Sequence, residues 1–159
     1  MRLIRDRLFI GNDADCAVME SSKELSIIHA CKTCHQAAVG YHYSLPKDHP
    51  EYLVLETPYD LYLNIIDPPK PLFRVESFRW ALDFLQRHPE NVLLHCNQGY
   101  SRAPSIALCH LARQYAIPME SYAAARKAYS VLDPLYQPGE GIALYLEKFW
   151  NDIIRGRLC

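Results

Sequence analysis

Cys96 and Arg102 lie six positions apart in the stretch Val92 to Ser105, VLLHCNQGYSRAPS. An apolar run, a tight loop and a helix-forming segment enclose the pair. Five residues between thiol and guanidinium are enough for the backbone to curl. The N–H groups from Asn97 to Arg102 then point at one centre, and the following helix adds its N-terminal dipole. Gly99 supplies the backbone angles that such a curl demands. Arg102 can clamp two phosphoryl oxygens through parallel hydrogen bonds. The same positive field favours the thiolate of Cys96, the nucleophilic form of cysteine. The chemistry expected of these residues is nucleophilic displacement at an anionic centre.

The bare Cys-to-Arg spacing is a weak signal, because arginines are common in this chain. The whole pattern is strong: His95 before the thiol, Gly99 three residues after it, Ser101 just before Arg102. HCNQGYSR resembles the His-Cys-five-residues-Arg signature of the cysteine-dependent protein tyrosine phosphatases, specifically their small dual-specificity branch. The opening LFIGN, the NIID run and the VESFRWALDFLQ segment resemble that branch's first strand, general-acid segment and following helix. A signature near position 96 sets aside the low-molecular-weight class, which carries its loop at the N-terminus.

The resemblance implies that Cys96 is the nucleophile, Arg102 the phosphate clamp and Asp67 the general acid. An Asp before two prolines is also a common turn former, so Asp60 is the alternative acid. The resemblance also implies that Ser101 hydrogen-bonds the sulfur and helps it leave; Ser101 is equally placed to cap the helix. His95, Asn97, Gln98, Gly99 and Tyr100 form the substrate-binding loop, where His95 is expected to order the loop rather than transfer protons. Tyr100 departs from the smaller residues usual at its position. The implied reaction is metal-independent, needs no cofactor, and passes through a phosphocysteine. The expected substrate is a phosphotyrosine protein, with phosphoserine and phosphothreonine as further candidates. Phosphoinositide and RNA 5′-phosphate substrates are rivals, although no lysine lies between Cys96 and Arg102 to favour a polyanion. A catalytically dead phosphate-binding module is the rival from another class.

A second motif competes. Cys31, Lys32, Thr33, Cys34 and His35 match the Cys-x-x-Cys-His rule for covalent haem. Haem attachment normally goes with export, for which the N-terminus offers no apolar leader core. Zinc is set aside because no second cysteine pair completes four ligands. If the strand ending at Cys31 lies beside the signature strand, Cys31 or Cys34 could instead trap an oxidised Cys96 as a disulfide.

The elements that must position these residues follow from patterning. Strands are expected at Arg7 to Gly11, Leu25 to Cys31, Tyr52 to Leu55, Leu61 to Ile66 and Val92 to Leu94. A helix over Asp13 to Ser22 would turn Cys16, Ala17 and Val18 inward. Asp67 stands at a strand exit, because the following Pro68 and Pro69 end both helix and ladder. Helices are expected from Val75 to before His88, through Ala107 to Tyr115 with Pro104 in the first turn, over Met119 to Tyr129 and over Gly141 to Ile154, with Tyr145, Phe149 and Trp150 as core. The fold class is therefore α/β: a central, mostly parallel sheet of four to five strands flanked by helices.

With 159 residues, the chain is expected to form one phosphatase-like domain over positions 1–159. Seventeen basic against eighteen acidic residues leave a net charge of −1, which argues against a nucleic-acid or anionic-membrane partner. No apolar run is long enough to span a bilayer. The expectation is a soluble, monomeric, cytoplasmic protein with six free cysteines.

Overall fold

The structure is a computed structural model that describes residues 1–22 and 25–156. Six strands form one mixed sheet: β1 (Arg2–Arg5), β2 (Leu8–Gly11), β3 (Ser26–His29), β4 (Val54–Glu56), β5 (Asp60–Leu63) and β6 (Val92–His95). Their order is β1-β2-β6-β3-β5-β4. The inner strands β2, β6, β3 and β5 run parallel, and the two edges, β1 and β4, are antiparallel to their neighbours. The expected α/β class holds, with a sixth strand beyond the expected four to five. The addition is β1, whose four residues close a hairpin at Asp6, φ +49°. A segment that short, with Leu3 exposed and only Ile4 buried, carries no readable alternation.

Four helices, α3 (Val75–Arg87), α4 (Arg102–Arg113), α5 (Tyr122–Leu132) and α6 (Glu140–Ile154), build the larger core on one face. Ile10, Ile28, Leu61 and Leu94 of the sheet join that core. On the other face lie α1 (Asp13–Ser22) and α2 (Lys32–Val39), and Ile27 and Leu93 pack there against Cys16. The pleat explains the division, since successive strand residues face opposite sides. The register His29↔His95 between β3 and β6 therefore sets two histidines side by side on the α1 and α2 face.

Several expectations shift. Cys16 is buried on α1, but Ala17 and Val18 are exposed. Tyr115 lies past the end of α4 at φ +59° and is exposed. The next helix begins at Tyr122 rather than Met119, because Ser121 caps it by accepting from the Ala124 N–H at 3.2 Å. Helix α2 has no counterpart in the apolar pattern: His35 is its one buried residue, and Gly40 ends it in the left-handed region. Tyr145 and Trp150 are core, as expected, with Phe149 packed against them. No helix among the described residues is long and apolar enough to cross a membrane.

The N-terminus of α6 holds the segment that follows β5. A Cβ on Gly141 would overlap the backbone carbonyl oxygens of Pro68 and Lys70. Alanine there gains up to about 1 kcal/mol of helix propensity, whereas forcing two backbone segments apart costs about 1 to 3 kcal/mol. Gly141→Ala should accordingly lower the thermal midpoint by roughly 2 to 8 °C in calorimetry. An unchanged or raised midpoint would show that this close approach does not constrain the fold.

Candidate active site

Parallel strands present their C-terminal ends on one edge, and there β6 runs into the loop from Cys96 to Ser101. Cys96 is 2% exposed and belongs to the larger core, on the side of β6 opposite His95. Gly99 takes φ +76°, and a Cβ there would come within 2.7 Å of the Gly11 carbonyl oxygen. Glycine is thus required both by the angle and by the approach of β2.

The loop carbonyls are engaged from outside. Asn97 O accepts from the Asp13 N–H at 3.4 Å, and Tyr100 O from the Gln137 N–H at 2.9 Å. Gly99 O accepts from Arg2 Nη2 at 2.7 Å. Arg2 is itself held in two hydrogen bonds, 2.9 and 2.8 Å, to the buried carboxylate of Asp133. In a trans peptide the C=O and the following N–H point in opposite directions, so these tethers turn the N–H groups of Gln98, Tyr100 and Ser101 inward. The Tyr100 side chain is exposed, as is that of Gln98.

Arg102, 8% exposed, opens α4 and folds back toward the loop. Its Nη1 donates to Ile65 O at 3.2 Å and its Nη2 to Asn97 Oδ1 at 2.5 Å. Asn97 in turn donates from Nδ2 to Asp13 Oδ2 at 2.9 Å. Arg102 Nε is buried with no hydrogen-bond partner. An orphaned cationic donor beside a ring of inward amides is suited to an anion.

Ser101 does not cap α4 with its side chain. Its Oγ instead accepts from the Gly139 N–H at 2.9 Å, which leaves the hydroxyl proton for another acceptor. Asp67 is exposed, and its Oδ1 lies 2.5 Å from where a Cβ on Gly139 would stand. Gly139 thus touches both the loop serine and the Asp67 carboxylate, bringing Asp67 to the edge that carries Cys96. Sequence reasoning missed Gly139 and Gly141; the only local signal was the spacing Pro-Gly-Glu-Gly ahead of a helix. Asp60 sits at the start of β5, away from the loop, where it accepts from Thr57 Oγ1 at 3.3 Å and lies 3.6 Å from His29 Nε2.

His95 turns to the opposite face. Its Nε2 lies 2.9 Å from His29 Nδ1, and its Nδ1 lies 3.5 Å from Asp13 Oδ1. Burial, and then the charge of His29, push the His95 imidazole down to about 4. Burial also opposes charge on His29, yet the Asp60 carboxylate and the Cys16 sulfur beside it hold that imidazole up at about 9. At neutral pH the pair therefore carries one positive charge, on His29. Cys31, buried at the start of α2, donates from its thiol to the Cys34 sulfur at 2.7 Å. That bond holds the Cys34 thiol below its ordinary value and pushes Cys31 up. The sulfur of Cys31 thus pairs with Cys34 rather than with Cys96.

No protein-family model matches the chain, and no curated protein matches it. Solved structures do. DUSP15 is 18% identical with a TM-score of 0.64, over 98% of this chain and 92% of that one. The human tyrosine phosphatase-like serine/threonine/tyrosine-interacting protein is 19% identical with a TM-score of 0.61, over 94% of each. PTPMT1, solved in complex with PI(5)P, is 12% identical with a TM-score of 0.63, over 97% and 96%. The fold is therefore that of dual-specificity phosphatase structures.

The His29 proton has a measurable consequence. A group whose pKa is raised on folding stabilises fully below its unfolded value, about 6.5, and loses that contribution as pH rises through its folded value. Denaturant unfolding should therefore show stability declining between about pH 6.5 and 9, by at most about 3 kcal/mol. His29→Gln should flatten that slope whatever its effect on the plateau. A wild-type stability that stays level across this window would contradict a protonated His29.

Proposed function

We propose that the chain is a metal-independent phosphomonoester hydrolase that acts on phosphotyrosine, and on phosphoserine or phosphothreonine, in protein substrates. It works through a phosphocysteine, as one monomeric domain over positions 1–159. The observation that carries this reading is the buried, unpartnered Nε of Arg102 beside a loop whose carbonyls are tied outward around Cys96. The fold alone would not suffice, since its similar structures include a protein named only as phosphatase-like and interacting. On this reading Cys96 is the nucleophile, Arg102 the clamp and Asp67 the acid.

In the first step the Cys96 thiolate attacks phosphorus. Arg102 and the loop amides hold the equatorial oxygens as charge shifts onto them. Asp67, protonated, gives its proton to the leaving oxygen, so the phosphorus–oxygen bond breaks to a neutral alcohol or phenol. In the second step Asp67, now ionised, takes a proton from water, which attacks the phosphocysteine and releases phosphate and the thiolate. Ser101, whose Oγ accepts from Gly139, directs its own proton at the departing sulfur. Asn97 positions Arg102, and Arg2 positions the Gly99 carbonyl. The absence of lysine between Cys96 and Arg102 favours a phosphoprotein over a polyanionic lipid or RNA end.

General-acid catalysis contributes about 10² to 10⁴, and matters most for basic leaving groups. Asp67→Ala should therefore lower kcat by that order on a phosphoserine or phosphothreonine peptide and clearly less on nitrophenyl phosphate. Asp60→Ala should show no dependence on the leaving group. Equal losses on both substrates for Asp67→Ala would assign that residue to loop structure, and Cys96→Ser retaining more than a few per cent of turnover would overturn the reading.

A further inference from the structure

The face of the sheet opposite Cys96 carries a second set of groups that the proposed hydrolysis does not use. Cys31 is the residue before the first turn of α2, and Cys34 lies within that turn, so one local motif supplies two sulfurs 2.7 Å apart. The parallel register of β3 and β6 brings His95 to them, with its Nε2 3.9 Å from Cys34 Sγ. The first residue of α1, Asp13, closes the set from a third element, 3.5 Å from His95 Nδ1. One ligand atom from each of Asp13, Cys31, Cys34 and His95 can be chosen so that all four lie within 4.8 Å of one another.

We propose that Cys31, Cys34, His95 and Asp13 bind one soft divalent cation, of which zinc is the best fit, behind the phosphatase loop. Metal–sulfur and metal–nitrogen bonds of about 2.0 to 2.3 Å place tetrahedral ligands roughly 3.3 to 3.8 Å apart, close to the spacing of this set. Two thiolates and an imidazole select zinc over the hard cations, which prefer oxygen. A Cys-x-x-Cys pair without further donors is too few ligands for a structural zinc site, and the fold provides the other two from positions 18 residues before and 61 residues after the pair. A disulfide would use the sulfurs alone and would leave the convergence of His95 and Asp13 without a role. His95 Nδ1 is buried without a hydrogen-bond partner of its own, and Asp13 is the carboxylate beside it.

Access is available. A cavity of about 440 Å³ reaches the cluster, lined by Asp13, Cys16, Glu20, Cys34, Tyr62 and His95 among others. On binding, the two thiols release their protons to solvent as the metal–sulfur bonds form. The hydrogen bond between His29 and His95 opens to free Nε2, and the sulfurs separate by rotation of the half-buried Cys34. His29, Cys16 and His95 form an adjoining cluster that shares His95. The two sets therefore compete for one imidazole, and the four-donor set is the more complete. Occupation would tie α1, α2 and the end of β6 together one residue from the nucleophile.

The test is a cobalt and zinc titration of chelator-stripped protein kept reduced with a phosphine. It is run on the wild type and on Cys96→Ser, so that the catalytic thiol cannot account for the signal. The expected result is one cobalt per chain, with a thiolate-to-cobalt charge-transfer band, tetrahedral d–d bands, and displacement by zinc. Zinc should also raise the thermal midpoint by mass action. Cys34→Ser should weaken binding by more than about 100-fold, since even loss of a group that hydrogen-bonds a ligand costs about 10- to 100-fold. Cys16→Ser should leave it within a few-fold, because the Cys16 sulfur pairs with His29 and not with a ligand. If reduced wild type and Cys96→Ser take up no cobalt, if binding follows Cys16 instead of Cys34, or if it is lost in Cys96→Ser alone, the site is overturned. None of these readouts depends on turnover, so the hydrolase reading and the metal site stand or fall separately.

Discussion

A backbone can gather its amide N–H groups around one anion only if the carbonyls of the same peptide units are accepted elsewhere. A buried carbonyl left without a donor costs about 1 to 3 kcal/mol. In this protein the donors come from three distant places: the start of α1, the Arg2 side chain on the edge strand, and the connection before α6. Arg2 illustrates the dependence. Its guanidinium is fixed by the buried carboxylate of Asp133, which also caps the turn after α5 by accepting from the Leu135 N–H at 3.3 Å. The short hairpin strand β1 is therefore part of the site's support.

The division of β6 into two faces organises the rest. Cys96 turns into the larger core beneath the loop, while His95, one residue earlier, turns toward α1 and α2. The two faces carry different sets of groups. One concentrates positive charge around a thiol; the other collects three sulfurs, two imidazoles and flanking carboxylates. The junction between them is a single peptide unit, so whatever fixes the His95 ring also fixes the point from which the loop departs. Asn97 links the faces again, bridging Asp13 on one side and Arg102 on the other.

What could be read from the sequence was what is contiguous in it. The strand, loop and helix around Cys96 form one uninterrupted segment, and α3 carries a clear apolar spacing, so both were legible. Asp67 was legible as a strand exit because prolines punctuate locally. Its neighbour Gly139 was not, since the contact joins residues far apart in the chain and depends on the packing of α6. Helix α2 escaped because its buried residue is a histidine, and β1 because four residues do not define a period. The pairing of His29 with Asp60 and the convergence of His95 and Asp13 on Cys31 and Cys34 depend on strand order. No local pattern encodes that order.

The proposed hydrolysis requires that Cys96 become phosphorylated during turnover. Asp67→Ala, which slows the water-activated second step, should accumulate that intermediate when mixed with nitrophenyl phosphate and quenched in acid. Peptide mass spectrometry should then find one phosphoryl group on the Cys96 sulfur, absent when Cys96 is also changed to serine. Turnover without any such adduct, or a phosphoryl group on another residue, would contradict the account.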